Sequence, residues 1–188
     1  MRSRIDKATG QYCAWPLKQA DLVESAIRIR PIEFADVPSF RDYVDAVARE
    51  RRHFMILEAF PLEKTAEFVA QNIVTGNLQF VAVDGSNVIG AVDLHPHKFE
   101  GFRHNASLGI GLLAAYRGMG LGSRLMKTAI AACAQHGFRR LELVVYANNA
   151  AAIRLYEKCG FAREGVFRGQ RDLDGVREDV IAMVKWME

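Results

Sequence analysis

The chain is poor in cysteine, in long apolar runs and in net charge. Only Cys13, Cys133 and Cys159 occur among 188 residues. Their odd number and wide spacing argue against a disulfide framework and a zinc site, and fit a reducing, cytoplasmic setting. The best candidate for a membrane span, Ala129 to Ala134, is far shorter than the roughly 20 apolar residues a spanning helix needs. Arg2, Arg4 and Lys7 are followed by no apolar stretch, so a secretory signal is not expected. With 25 Lys and Arg against 22 Asp and Glu, the formal net charge is +3. That assists an anionic ligand but does not indicate nucleic acid. There is no internal repeat and no low-complexity segment. What is present is a chain half hydrophobic and a quarter charged. Its length suits one soluble domain with a sizeable core. Residues 26–188 are read as that domain and residues 1–25 as an N-terminal extension.

Hydrophobic periodicity orders the domain. Ala26 to Ile32 alternates apolar and charged residues, a strand pattern. Asp36 and Pro38 open a helix carrying Phe40, Tyr43, Val44 and Val47. A second helix follows Pro61 and stops at Gly76. Leu78 to Val83 and Val88 to Leu94 form a hairpin around Asp84-Gly85-Ser86-Asn87. His95 to Asn105 is a polar loop with His95, His97 and His104. Ala106 to Leu113 is a strand, and Gly120 to His136 a helix with Leu121, Leu125, Ala129 and Cys133 on one face. Leu141 to Tyr146 is a strand and Asn149 to Lys158 a short helix. Phe161 to Arg171 and Val176 to Trp186 form a last hairpin. The order β-α-α-β-β-β-α-β-α-β-β implies a mixed sheet with helices on both faces.

The most informative stretch joins the strand ending at Leu112 and Leu113 to the helix beginning near Gly120. A helix N-terminus presents unpaired N–H groups and partial positive charge. Gly118, Gly120 and Gly122 let a ligand approach those groups closely. The pattern therefore suits a phosphate or pyrophosphate. It is not a Walker loop, because Gly122-Ser123-Arg124 has no lysine in place. It is not a dinucleotide fingerprint, because the glycines run G-x-G-x-G and the remaining chain is too short for a doubly wound domain.

Arg117-Gly118-Met119-Gly120-Leu121-Gly122 has the form R-x-x-G-x-G/A, and Asn149 through Phe161 reads N-x-x-A-I-x-L-Y-x-K-x-G-F. With both blocks in register, separated by one helix and one strand, the chain resembles the GNAT family of N-acetyltransferases from about Ile27 to Trp186. The resemblance implies a single-domain α/β (α+β) fold. Its sheet would be mixed, mostly antiparallel and six- to seven-stranded, with helices on both faces and a splayed central pair, Ala106–Leu113 and Leu141–Tyr146. It implies acetyl-CoA as co-substrate, with the pantetheine arm in the gap, paired with backbone freed by a bulge near Leu112 and Leu113. The pyrophosphate would lie on amides of Arg117, Gly118, Met119, Gly120, Leu121, Gly122 and Ser123. For Met119 and Leu121 the amide matters more than the side chain.

Spacing of three and four residues puts Asn149, Ala152 and Tyr156 on one helix face. When an amine attacks a thioester a thiolate leaves, and a phenol is a suitable proton donor to it. The resemblance gives that role to Tyr156; the plainer alternative is a packed core tyrosine. Asn149 either anchors the cofactor or caps its own helix. His104, just before the central strand, is the first choice of base, with water as the alternative. No metal is expected, because one histidine-bearing loop lacks a placed carboxylate. Cys159 reads as a packing thiol, so direct transfer is expected rather than an acetyl-enzyme. The resemblance implies an acceptor bound near Phe34, the segment His53 to Phe60, and the turn between Phe167 and Val176. The resulting expectation is a cytoplasmic N-acetyltransferase for a small primary amine such as an amino acid or polyamine. The alternatives are a protein or peptide N-terminal acetyltransferase and a non-catalytic acyl-CoA sensor. Nucleic-acid and membrane partners are not expected, and a homodimer is left open.

Overall fold

The computed structural model describes residues 27–76 and 78–187. The reading of residues 1–25 as an extension lies outside them. In chain order the elements are β1 (Ile27–Pro31), α1 (Val37–Ala48), α2 (Leu62–Thr75), β2 (Gln79–Asp84) and β3 (Asn87–Pro96). Then come β4 (Asn105–Leu112), α3 (Leu121–Gln135), β5 (Arg140–Tyr146), α4 (Ala150–Lys158), β6 (Ala162–Leu173) and β7 (Val176–Trp186). This is the expected order. β3 runs past Leu94 because His95 and Pro96 pair with Ser107 and Ala106 on β4.

The strands form one seven-stranded sheet in the order β1-β2-β3-β4-β5-β7-β6. Every pairing is antiparallel except β4 with β5. On one face, α3 buries Leu121, Leu125, Met126, Ala129 and Cys133 against Val92, Leu94, Ala106 and Leu141, and α4 adds Ile153 and Tyr156. On the other face, α1 and α2 bury Phe40, Tyr43, Val47 and Val69 against Val81, Val83 and Ala91. The helical period of the apolar positions on α1 and α3 accounts for this two-sided burial.

The feature that positions the site is the β4–β5 pair. The two strands pair only through Asn105, Ala106 and Ser107 with Arg140, Leu141 and Glu142. β4 then continues to Leu112 along β3, and β5 to Tyr146 along β7. Each strand keeps its outer ladder while the pair between them opens. The expected bulge near Leu112 and Leu113 is not there. The β3–β4 register runs without a shift from Pro96↔Ala106 to Gly90↔Leu112. The gap arises because β4 and β5 follow different outer partners, not because a residue is inserted.

Candidate active site

A cavity of about 940 Å³ passes through this gap. It is lined on the α1 side by Phe54, Met55, Ile56, Gly111 and Tyr146, and on the α3 side by Leu108, Ile110, Leu112, Leu155 and Tyr156. The Leu113 N–H donates to the Ile89 carbonyl at 2.9 Å. Backbone groups alternate direction along an antiparallel strand, so those of Gly111 and Gly109 also face β3. Those of Leu112, Ile110 and Leu108 therefore face the gap. Leu112 belongs to the cavity wall. Leu113, expected there too, does not: its amide is held by β3 and it packs between the two cores.

The turn after β4 delivers helix α3 to the mouth of the cavity. Gly118 and Gly120 hold φ of 76° and 81°, left-handed values that L side chains adopt only with strain. Gly120 is the N-cap of α3 and supplies no side-chain cap, so no side chain at that position satisfies the first N–H groups of the helix. Arg117, Gly118, Gly120, Gly122 and Ser123 line the cavity. Met119 is exposed and Leu121 is buried in the core; neither side chain forms part of the wall. Gly122 has a packing role: a Cβ there would lie 3.0 Å from Leu155 Cδ2, so it lets α4 approach α3.

The Arg117 side chain does not point into open space. Its Nη1 and Nη2 donate to the two Glu50 carboxylate oxygens, each at 2.7 Å, and its Nε donates to the Leu112 carbonyl at 2.9 Å.

On α4, Tyr156 and Ala152 line the cavity as their spacing requires. Tyr156 is 7% exposed. Burial, with Cys159 nearby, pushes its phenol up to about 12, so it stays protonated across the physiological range. Asn149 lines the cavity and caps its own helix: its Oδ1 accepts from the Ala152 N–H at 3.2 Å, and its Nδ2 lies 3.2 Å from His53 Nδ1. His104 is not brought to this site. It precedes β4 at the end where β4 and β5 are paired, and its carbonyl accepts from the Arg139 and Arg140 N–H groups. The imidazole on the wall is His53, whose pKa is lowered by burial and then by Arg117, which keeps it neutral at pH 7.

Of the expected acceptor segments, His53 to Ile56 and Gln170 to Asp172 line the cavity, while Phe34 and Phe60 do not. The loop after α1 and the β6–β7 hairpin are joined here. Arg51 Nη2 donates to Asp174 Oδ1 at 2.8 Å, and Arg171 Nη2 donates to the Arg51 carbonyl at 2.5 Å. The Arg171 guanidinium also stacks 4.7 Å from the Tyr146 ring centroid. Sequence reasoning passed over Gly109 and Gly111. Their alternation with Leu108, Ile110 and Leu112 signals a strand with one face bare of side chains. A Cβ on Gly111 would lie 2.5 Å from Tyr43 Oη and 2.6 Å from Phe54 Cζ. Among the described residues no group of three or more His, Cys, Asp or Glu side chains is placed to hold a metal. No described helix is long and apolar enough to cross a membrane.

The Acetyltransferase (GNAT) family model matches residues 41–161. The chain belongs to that family. Among GNAT relatives, YwnH of Bacillus subtilis (strain 168), provisionally assigned as a phosphinothricin acetyltransferase, is 34% identical over 79 residues. That match covers 42% of this chain and 48% of YwnH. The L-amino acid N-acetyltransferase AaaT of Escherichia coli (strain K12) is 34% identical over 92 residues, covering 48% of this chain and 56% of AaaT. The chain thus spans about half the length of these relatives. A GNAT superfamily phosphinothricin acetyltransferase from Sinorhizobium meliloti, solved in complex with acetyl-CoA, shares the fold with a TM-score of 0.80 at 20% identity. That likeness covers 86% of this chain and 89% of the solved one.

Proposed function

We propose that this GNAT protein transfers the acetyl group of acetyl-CoA directly to a primary amine of a small molecule, such as an amino acid or a polyamine. One observation carries the reading: a single cavity joins the α3 N-terminus, which lacks a side-chain cap, to the buried Tyr156 phenol. The diphosphate of the co-substrate would accept from the amides at Gly120 to Ser123. Its extended arm would lie along the open edge of β4, where Ile110 and Leu112 present backbone groups that β5 no longer pairs. The names of YwnH and AaaT add support, since each denotes acetylation of a small amine-bearing molecule.

In the transfer step the amine nitrogen attacks the thioester carbonyl carbon. The C–N bond forms, the C–S bond breaks, the departing thiolate takes the Tyr156 hydroxyl proton, and water then returns a proton to the Tyr156 oxygen. Asn149 holds the first turn of α4, and so the height of Tyr156 in the cavity. With His104 outside the cavity, the proton of the amine leaves to water on the acceptor side. The acceptor enters between the His53–Ile56 loop and the β6–β7 hairpin, against an apolar wall of Phe54, Ile56 and Val144.

The test is release of CoA from acetyl-CoA in the presence of amino acids, polyamines, other small amines and N-terminal peptides. Acceptor-dependent release with a small amine supports the reading. Release with peptides alone shifts it to a peptide acetyltransferase. Acetyl-CoA binding without release for any acceptor contradicts the enzymatic reading and favours a sensor.

A further inference from the structure

We infer that Glu50 is a positioning residue for the acetyl-CoA loop, acting through Arg117; the inference rests on the reading of the cavity given above. Arg117 opens the glycine-rich motif, and a cation beside a proposed diphosphate site invites the view that it binds phosphate. The geometry assigns it otherwise. Both terminal nitrogens of its guanidinium meet the two oxygens of Glu50 at 2.7 Å, a fork-to-fork pair. The remaining nitrogen, Nε, meets the Leu112 carbonyl at 2.9 Å. The pair is partly shielded, with side-chain exposures of 34% for Arg117 and 24% for Glu50.

These bonds span the base of the turn between β4 and α3. Leu112 is the last residue of β4, and its carbonyl is directed to the gap. Arg117 stands three residues before the N-cap Gly120. Closing Arg117 onto Leu112 fixes the distance across the turn, and hence where the α3 amides sit relative to the open edge of β4. Glu50 fixes the plane of the guanidinium and so selects that closure. Glu50 also lies just after α1, next to Arg51, whose side chain and carbonyl hold the β6–β7 hairpin. Residues 50 and 51 therefore tie the acceptor-side loop to the co-substrate loop on one flank and to the hairpin on the other.

This role makes a prediction whose sign opposes simple electrostatics. Removing a carboxylate near a diphosphate site should tighten anion binding if charge alone matters. If Glu50 positions the loop, Glu50→Gln weakens it. The experiment is calorimetric titration of acetyl-CoA into the wild type, E50Q, E50D, R117M and E50Q/R117M, with steady-state kinetics on the same proteins. E50D keeps the charge but is one methylene too short for the paired geometry. Expected are affinities about tenfold weaker for E50Q and E50D, the scale of a lost charge-assisted hydrogen bond. KM for acetyl-CoA should rise in parallel, with kcat at saturation within about twofold of wild type. E50Q/R117M should be no weaker than R117M alone, since Glu50 acts through Arg117 and methionine leaves it no cation to pair. E50Q binding as tightly as wild type or more tightly, or E50D binding like wild type, overturns the inference and leaves the proposed function standing. A wild-type protein that does not bind acetyl-CoA overturns both.

Discussion

Tyr156 is a buried phenol that keeps its proton. Burial raises its pKa to about 12, which holds the protonated form well beyond neutral pH and leaves the hydroxyl a weaker acid than an exposed phenol, so its use as a donor rests on its position at the cavity wall. Tyr156→Phe keeps the ring packed against Phe161, at a centroid distance of 6.1 Å, and removes only the proton. We expect kcat to fall about 100-fold, the lower range for a positioned general acid, with acetyl-CoA affinity little changed. The raised pKa also sets the alkaline limb. Loss of the Tyr156 proton begins only near pH 11, so kcat should not fall between pH 8 and 10; a decline centred near pH 9 would assign the donor to another group. The glycines of the motif separate in the same manner. Gly120 sits at φ of 81°, where alanine is strained. Gly122→Ala meets the flexible end of Leu155 at 3.0 Å and Leu112 Cδ1 at an ordinary contact distance of 3.8 Å. Gly120→Ala should cost about 1 kcal/mol and disturb the α3 N-terminus. Gly122→Ala should be milder, and denaturant unfolding with acetyl-CoA titration distinguishes the two.

At the scale of elements, the start of α1 depends on a buried carboxylate. Asp36 is 6% exposed and accepts from Arg30 at 2.6 and 2.8 Å and from the Glu33 N–H at 2.9 Å. These bonds anchor β1 to α1, and through α1 the loop bearing Glu50 and His53. Asp36→Asn should lower stability by about 2 kcal/mol in urea unfolding at pH 7. The Arg30 hydrogen bonds hold the Asp36 pKa below the usual carboxylate value, against the opposing effect of burial. This contribution is present above about pH 4 and is lost as pH falls further, because the unfolded carboxyl binds its proton first. The difference between wild type and variant should therefore shrink below pH 4. Much at this scale was legible in the sequence. The buried face of α3 and the two hairpins follow from local spacing and turn residues, and the Asn149 cap of α4 was one of its two legible roles. The contact between Glu50 and Arg117 was not, because its partners lie 67 positions apart and only the packing of α1 on the sheet joins them. Leu113 and His104 lie off the cavity wall for a shared reason. Which side of β4 a backbone group faces, and which end of β4 is open, depend on pairing with β3 and β5, which one strand's own residues do not encode.

Across the whole molecule, the sheet is two antiparallel blocks, β1-β2-β3-β4 and β5-β7-β6, joined by a short parallel ladder at Asn105–Ser107. Function is proposed to lie where the blocks part. A ligand in the gap bridges them, so acetyl-CoA should raise the thermal midpoint of unfolding by mass action, about 2.7 kcal/mol of stabilisation at a hundredfold excess over Kd. The site-resolved form of this claim is its most direct test. Amide hydrogen exchange should be measured with and without acetyl-CoA. Slowed exchange in peptides covering Ile110 to Leu112 and Gly118 to Ser123, with β1 and β2 unchanged, is the predicted result. Saturable acetyl-CoA binding that leaves both segments unprotected would contradict the placement of the co-substrate in the β4–β5 gap.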